Sequence, residues 1–176
     1  THEKNPVLCA AALATIDFIE KNNLAAHARE LGRYTLERLQ AMKDRHPLIG
    51  DVRGLGLLLG IELVKDRQTR ARASDAAESV MYAALSRGLS FKTTMGNILT
   101  LTPPLIITRA EMDRALAILE ESIAEVEKQG GGLRRDLGPR VGGLAQAGLE
   151  PALDIGGHAR EVVERALRVE AHARER

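Results

Sequence analysis

Three of the four glycines in the stretch IGDVRGLGLLLGIEL, Gly54, Gly56 and Gly60, raise the first chemical question, whether this segment cradles a phosphate. A dinucleotide-binding loop needs G-x-G-x-x-G on a turn that opens a helix, so that N-terminal N–H groups face the anion. Here the third glycine falls one place late, and the residues after Gly56, LLLGIELVKD, have the texture of a strand. The glycines instead permit a tight bend and close approach of another backbone, because they carry no Cβ. The expected role is structural.

The other chemistry-bearing residues form no set. The histidines, His2, His27, His46, His158 and His172, lack ligand spacing, and Cys9 is the only cysteine, so no metal site is expected. Cys9 lies in an apolar segment and reads as a small core residue. The carboxylates of EMDRALAILEESIAEVEK fall on the polar side of an amphipathic helix, and no Ser/His/Asp grouping can be assembled. The residue types alone assign no catalytic residue.

Composition sets the frame around these residues. The chain is 44% hydrophobic, 28% charged and carries a net charge of +1, a globular balance that points to neither nucleic acid nor an anionic membrane. Aromatic residues make up only 2%, so the core must be built from aliphatic side chains. One cysteine allows no internal disulfide and suits a reducing, cytoplasmic setting. The apolar run near the start is too short to span a bilayer and lacks a signal-peptide leader. The opening THEKNP, without an initiator Met, reads as part of something longer.

The elements follow from caps and periodicity. Asn5-Pro6 predicts a helix start, and PVLCAAALATIDFIEK is apolar nearly all round, which predicts a buried helix. A second helix places Leu24, Ala28, Leu31, Leu39 and Met42 on one stripe and ends before Pro47. Two strands meeting at a bend are expected over 49–64. Ser74-Asp75 predicts the cap of a third helix with Ala77, Val80, Met81, Ala84 and Leu85 inward, stopped at Arg87-Gly88. LSFKT and NILTLT read as strands, and Thr108-Arg109-Ala110-Glu111 has capping-box spacing. The helix that follows turns Met112, Ala115, Leu116, Leu119, Ile123 and Val126 to one side. The fold class predicted is α+β, a small, mostly antiparallel sheet with helices packed on one side.

After Lys128 the texture changes. Nine of the sixteen glycines fall there, and all eight basic residues are Arg. Residues 129–176 are expected to be a flexible, glycine-rich tail with a short terminal helix, of a composition that an out-of-frame extension would have. The division expected is 1–46 as interdomain helices, 47–128 as a small α+β domain, and the tail.

Three stretches, THEKNPVLCAAALATIDFIE, IGDVRGLGLLLGIELVKD and LTLTPPLIITRAEMDRALAILEESI, together resemble the carboxy-terminal part of class III aminotransferases, pyridoxal-phosphate enzymes of fold type I. The likeness covers roughly residues 1–128 and not the tail. It implies a small carboxy-terminal domain that closes over the active site of an enzyme moving an amino group from an amine or amino acid to a keto acid. It further implies pyridoxal 5′-phosphate as cofactor and a homodimer with shared active sites. By the resemblance, Thr1 takes the place of a threonine that hydrogen-bonds the cofactor phosphate of the partner subunit. The family's Schiff-base lysine and the aspartate that pairs with the pyridine nitrogen lie upstream, so none of Lys4, Lys21, Lys43, Lys65, Lys92 or Lys128 takes that place, and the chain alone is expected to be inactive. Thr100 stands where many members carry an arginine that clamps the substrate carboxylate. That departure points away from a standard α-amino-acid clamp, towards an ω-amine, an aminophosphonate or another substrate, and no substrate-binding residue is assigned. Arg53 is expected to make a structural contact in the hairpin and Arg109 to be exposed. Elimination, decarboxylation or epimerisation with the same cofactor stays open, as does a non-catalytic α+β interaction module.

Overall fold

The computed structural model describes residues 5–130, and the chain divides into two units, one carrying the first helix and the other beginning at Leu24. The first helix, α1 (Pro6–Lys21), starts as expected: the Asn5 side chain accepts from Val7 N at 2.9 Å, and Pro6 occupies the first turn. No residue of α1 is buried, and Cys9 is exposed. This corrects both the buried helix and the core cysteine. An apolar sequence sets a need for cover, but the cover itself must come from another element.

The second unit holds α2 (Leu24–Arg45), β1 (Ile49–Leu55), β2 (Leu58–Leu63), α3 (Ser74–Ser86), β3 (Lys92–Thr94), β4 (Ile98–Leu101) and α4 (Arg109–Lys128). The sheet has the order β1-β2-β4-β3, with every neighbouring pair antiparallel. The strand β3 therefore lies outside β4, and the path β2–α3–β3 crosses over it. The α+β architecture matches the expectation.

One face of the sheet is packed. Val52, Leu59, Ile61, Leu63, Leu99 and Leu101 alternate along the strands and join Leu31, Leu39, Met42, Val80, Met112, Leu116, Leu119 and Ile123 from the helices. Strand side chains alternate in direction, so the residues between them form a second, uncovered face. With few aromatics, the core is filled by aliphatic residues, at roughly 1.5–3 kcal/mol for each large side chain buried.

The bend is a two-residue hairpin: Leu55 pairs with Leu58, and Gly56 sits first in the turn at φ +55. Glycine at that position with positive φ suits the right-handed twist of a hairpin. The expected cap at Ser74 is not the cap observed. Ala73 takes that place without a side-chain hydrogen bond, and Ser74 is the first helical residue. The chain is steered into α3 by backbone pairing instead, through the Val64–Arg72 bridge and Ala73 N to Leu63 O at 3.2 Å. The inner face of α3 is also rotated from the expectation. Ala76, Ala77, Val80, Ala83 and Ala84 are buried, while Leu85 is exposed and Met81 is half-buried. Small side chains allow a closer approach than leucine and methionine, so the alanine stripe decides which side packs.

At α4 the capping box is formed. Thr108 Oγ1 accepts from Glu111 N at 3.3 Å, and the Glu111 carboxylate accepts from Thr108 N at 2.7 Å. Those hydrogen bonds to the charged form hold the Glu111 carboxyl below its usual range. Arg67 ties the other end of α2 to the sheet, donating from Nε to Ile49 O at 3.0 Å and from Nη2 to His46 O at 2.9 Å.

Candidate functional site

The uncovered face of the sheet is ordered into rows by strand register. One row runs Arg53, Gly60, Thr100, Lys92, and the next runs Asp51, Glu62, Ile98, Thr94. Residues opposite one another in antiparallel strands share a face. The position singled out from the sequence, Thr100, is therefore placed on the open side, half-buried, with its Oγ1 2.8 Å from Thr94 Oγ1.

Arg53 makes the structural contact expected of it. Its Nη1 donates to Asp51 Oδ2 at 2.7 Å and to Glu62 Oε2 at 2.8 Å, crossing from its own row to the next. The hydrogen bond from Arg53 holds the Asp51 carboxyl below the usual range, and Glu62 and then Asp51 raise the guanidinium further. Two carboxylates thus share the Nη1 of one arginine, and the trio carries one negative charge in excess.

At the hairpin end of the sheet, a groove of about 460 Å³ opens between α2, the turn and the segment after β4. Its walls are mostly apolar, including Ala25, Ala28, Gly56, Leu57, Pro103 and Leu105. Leu55 and Leu58 flank the turn at 87% and 59% exposure. Apolar surface left open on this scale marks a place where something else packs.

Two polar clusters lie outside the sheet and were not foreseen. The Tyr34 hydroxyl donates to Asp113, Arg38 donates to the Tyr34 oxygen at 2.9 Å, and the Arg109 guanidinium lies 3.9 Å from the Tyr34 ring centroid. Arg109 is exposed, as expected, but stacked on Tyr34. Asp113 lies 79 residues from Tyr34, so no local pattern could have joined those two, whereas Arg38 stands one turn along α2. The second cluster holds His46, which is buried. Its Nδ1 is 2.7 Å from Glu127 Oε2 and its Nε2 is 3.5 Å from Glu120 Oε1. Burial raises the Glu120 carboxyl, but the hydrogen bond and charge of Arg45, with His46, outweigh it, so the group lies below its usual range. His27 bonds the Ile107 carbonyl at 2.8 Å. Both rings join α2 to the segment or helix beside it, which is a structural role. Among the described residues, no group of three or more His, Cys, Asp or Glu side chains is placed to hold a metal ion, and no helix is long and apolar enough to cross a membrane.

Thr1, His2 and Lys4 lie outside the described residues, as does the glycine-rich tail. Of the described lysines, Lys21, Lys65, Lys92 and Lys128 are exposed, Lys43 is half-buried on α2, and only Lys92 belongs to the rows of the open face.

Residues 1–123 match the family described as aminotransferase class-III. The chain is 51% identical over 128 residues to (R)-1-hydroxy-2-aminoethylphosphonate ammonia-lyase of Vibrio splendidus, a match covering 73% of this chain and 27% of that protein. It is 47% identical over 124 residues to leucine/methionine racemase of Thermococcus litoralis, covering 70% of this chain and 28% of the relative. The crystal structure of a Bacillus anthracis aminotransferase superposes with a TM-score of 0.61 at 39% identity, covering 65% of this chain and 27% of that one. The chain therefore spans little more than a quarter of the length of the relatives it matches. With a packed α+β core, an uncovered polar sheet face and the family match over residues 1–123, the chain belongs to the class III aminotransferases.

Proposed function

We propose that this chain is the small-domain portion of a pyridoxal-phosphate enzyme that moves an amino group from an amine or amino acid to a keto acid. Residues 47–128 are the small domain and 1–46 connect it to a catalytic domain, with α2 sharing the core of the sheet. The observation that carries this reading is the uncovered sheet face bearing Thr100, opposite the face that the helices cover. A domain that closes over a site needs such a face.

The described residues form no seat for the cofactor. The open face carries no buried lysine, and Arg53, its arginine, is taken up by Asp51 and Glu62. When bound, pyridoxal phosphate supplies an electron sink for the carbon that carries the amine. In this reading the lysine that anchors it and the acid that pairs with its ring lie upstream of this chain. Thr1 donates a hydroxyl to the cofactor phosphate of the partner subunit in a cytoplasmic homodimer. The work of the described residues is to exclude water and to shape the side of the site that the substrate meets. The hydroxyl of Thr100 cannot form the two parallel bonds by which a guanidinium holds a carboxylate.

The reading is tested by adding pyridoxal phosphate to the chain and recording its absorption spectrum. The chain alone is expected to develop no band that an added amine discharges. Such a band, with borohydride labelling of one lysine in stoichiometric yield, overturns the upstream placement.

A second reading is favoured by the 51% identity to an ammonia-lyase acting on an aminophosphonate. In it the parent enzyme eliminates ammonia rather than transferring nitrogen. Product analysis of the complete enzyme separates the two. Ammonia released without stoichiometric amination of a keto acid rejects the transaminase reading.

A further inference from the structure

The connection between β2 and α3 carries the sequence KDRQTRAR over 65–72, with four cations, Lys65, Arg67, Arg70 and Arg72, against one carboxylate, Asp66. Its ends are held together. Val64 and Arg72 form an antiparallel bridge, Lys65 N donates to the Ala71 carbonyl at 2.7 Å, and Arg70 N donates to the Asp66 carbonyl at 2.9 Å. The Asp66 side chain is engaged inside the loop, its Oδ1 accepting from Gln68 N at 3.1 Å and from Thr69 N at 2.7 Å. Arg67 is engaged beneath it, on the carbonyls of Ile49 and His46. Lys65, Arg70 and Arg72 are exposed, and among the described residues none of the three meets a carboxylate. Arg38, Arg45, Arg53 and Arg87 each do. Arg70 also stands at φ +54, where a residue with a Cβ is strained and glycine is not. Stability alone would favour glycine at that position, yet the loop keeps an arginine there.

We propose that this loop is a docking surface for an acidic segment of a partner protein, with Lys65, Arg70 and Arg72 as its contacts. Strain retained at an exposed, charged residue points to work done by its side chain. The loop's own hydrogen bonds fix its backbone before a partner arrives, so little ordering is left to oppose binding. All eight residues of 65–72 are exposed, and a surface that stands open suits an extended chain rather than a small, enclosed anion. Each free guanidinium can grip a carboxylate through two parallel bonds, and Lys65 adds a point charge beside them, since its backbone pairs with Ala71, between the two arginines. Asp66 keeps its charge, but four cations less one carboxylate still leave an excess of three. Duplex nucleic acid carries a charge every ~1.7 Å and calls for cations along a stripe. Here they are gathered in one loop of a chain with a net charge of +1. The proposed enzymatic activity plays no part in this docking surface.

The test is a titration of the full chain with a hexaglutamate peptide, followed by backbone amide chemical shifts. The peptide is expected to move the amides of 65–72, and salt near 1 M, which screens charges beyond about 3 Å, should abolish the response. Arg70→Gly should melt at a higher temperature than the parent and bind the peptide about threefold more weakly, the worth of one exposed ion pair. Arg70→Gly with Arg72→Ala should weaken binding about tenfold. Arg114→Ala, which removes an exposed arginine of α4, should leave binding unchanged. A peptide response untouched by the double variant, or shifts spread equally over Arg29, Arg33 and Arg114, overturns the docking surface. So does an Arg70→Gly variant that melts lower than the parent, since the arginine is then not kept at a cost. Hexathymidylate or phosphatidylserine vesicles that engage the loop more tightly than the peptide overturn the choice of partner.

Discussion

A Cβ added to Gly32 would stand 2.1 Å from the carbonyl oxygen of Gly56. Helix α2 and the turn of the β1–β2 hairpin thus meet backbone to backbone. The obstacle is main chain and cannot rotate aside. Gly32→Ala gains about 1 kcal/mol of helix propensity but forces the hairpin away. A net loss of about 2 kcal/mol in urea unfolding is expected, with the amide shifts of Leu55–Leu58 displaced. An alanine variant as stable as the parent refutes this contact.

Tyr34 joins α2 to α4 through two separable interactions. Its hydroxyl bonds Asp113, and its ring lies under Arg109. Tyr34→Phe removes the first and keeps the second, with an expected cost of about 1 kcal/mol. Tyr34→Ala removes both and should cost about 2–3 kcal/mol. Arg109→Ala should be nearly neutral in the Tyr34→Ala background if the stack is what Arg109 contributes, which a double-mutant cycle measures.

The carboxyl of Glu120 lies below its usual range in the fold, because Arg45 and His46 outweigh its partial burial. The sign follows. A group with a folded pKa below its unfolded value of roughly 4.3 stabilises the fold above that pH and loses the contribution as pH falls through the folded pKa. Glu120→Gln should therefore narrow the gap in melting temperature between pH 7 and pH 3, by an amount equivalent to about 0.5 kcal/mol for this half-exposed pair. A variant with the parent's full acid sensitivity argues against the assignment.

The capping box at α4 is exposed and local, so its effect should be clean. Thr108→Ala removes the hydroxyl that accepts from Glu111 N and should cost about 1 kcal/mol, read by chemical denaturation. Thr108→Ser should recover most of it.

Leu55 and Leu58 flank the hairpin turn and are exposed. Replacing both with Glu should change the stability of this chain by no more than about 0.5 kcal/mol in chemical denaturation. In the complete enzyme the same pair should weaken the attachment of the small domain. A large loss of stability in the isolated chain would mean that these side chains belong to its core.

Much of the architecture was readable along the chain because the signals were local. Asn5-Pro6, Thr108 with Glu111, and the stripe of Met112, Leu116, Leu119 and Ile123 act within one or two helical turns, and the helices formed where these residues placed them. The failure of Gly54, Gly56 and Gly60 to make a phosphate loop was equally local, since spacing and the absence of a following helix settle it. The role of α1, the cap and inner face of α3, and the separate duties of the glycines were not readable. Each depends on what lies across a gap in space. Ala73 is steered by Leu63, Gly32 is demanded by Gly56, and a Cβ on Gly60 would make only ordinary contact among the described residues. Tyr34 and Asp113 likewise meet only because α2 and α4 cross over one sheet face. Sequence determines which residues tend to helix, strand or turn, because those preferences arise from neighbouring atoms along the backbone. Only the tertiary fold decides which faces close and which stay open, because burial is a property of pairs of surfaces.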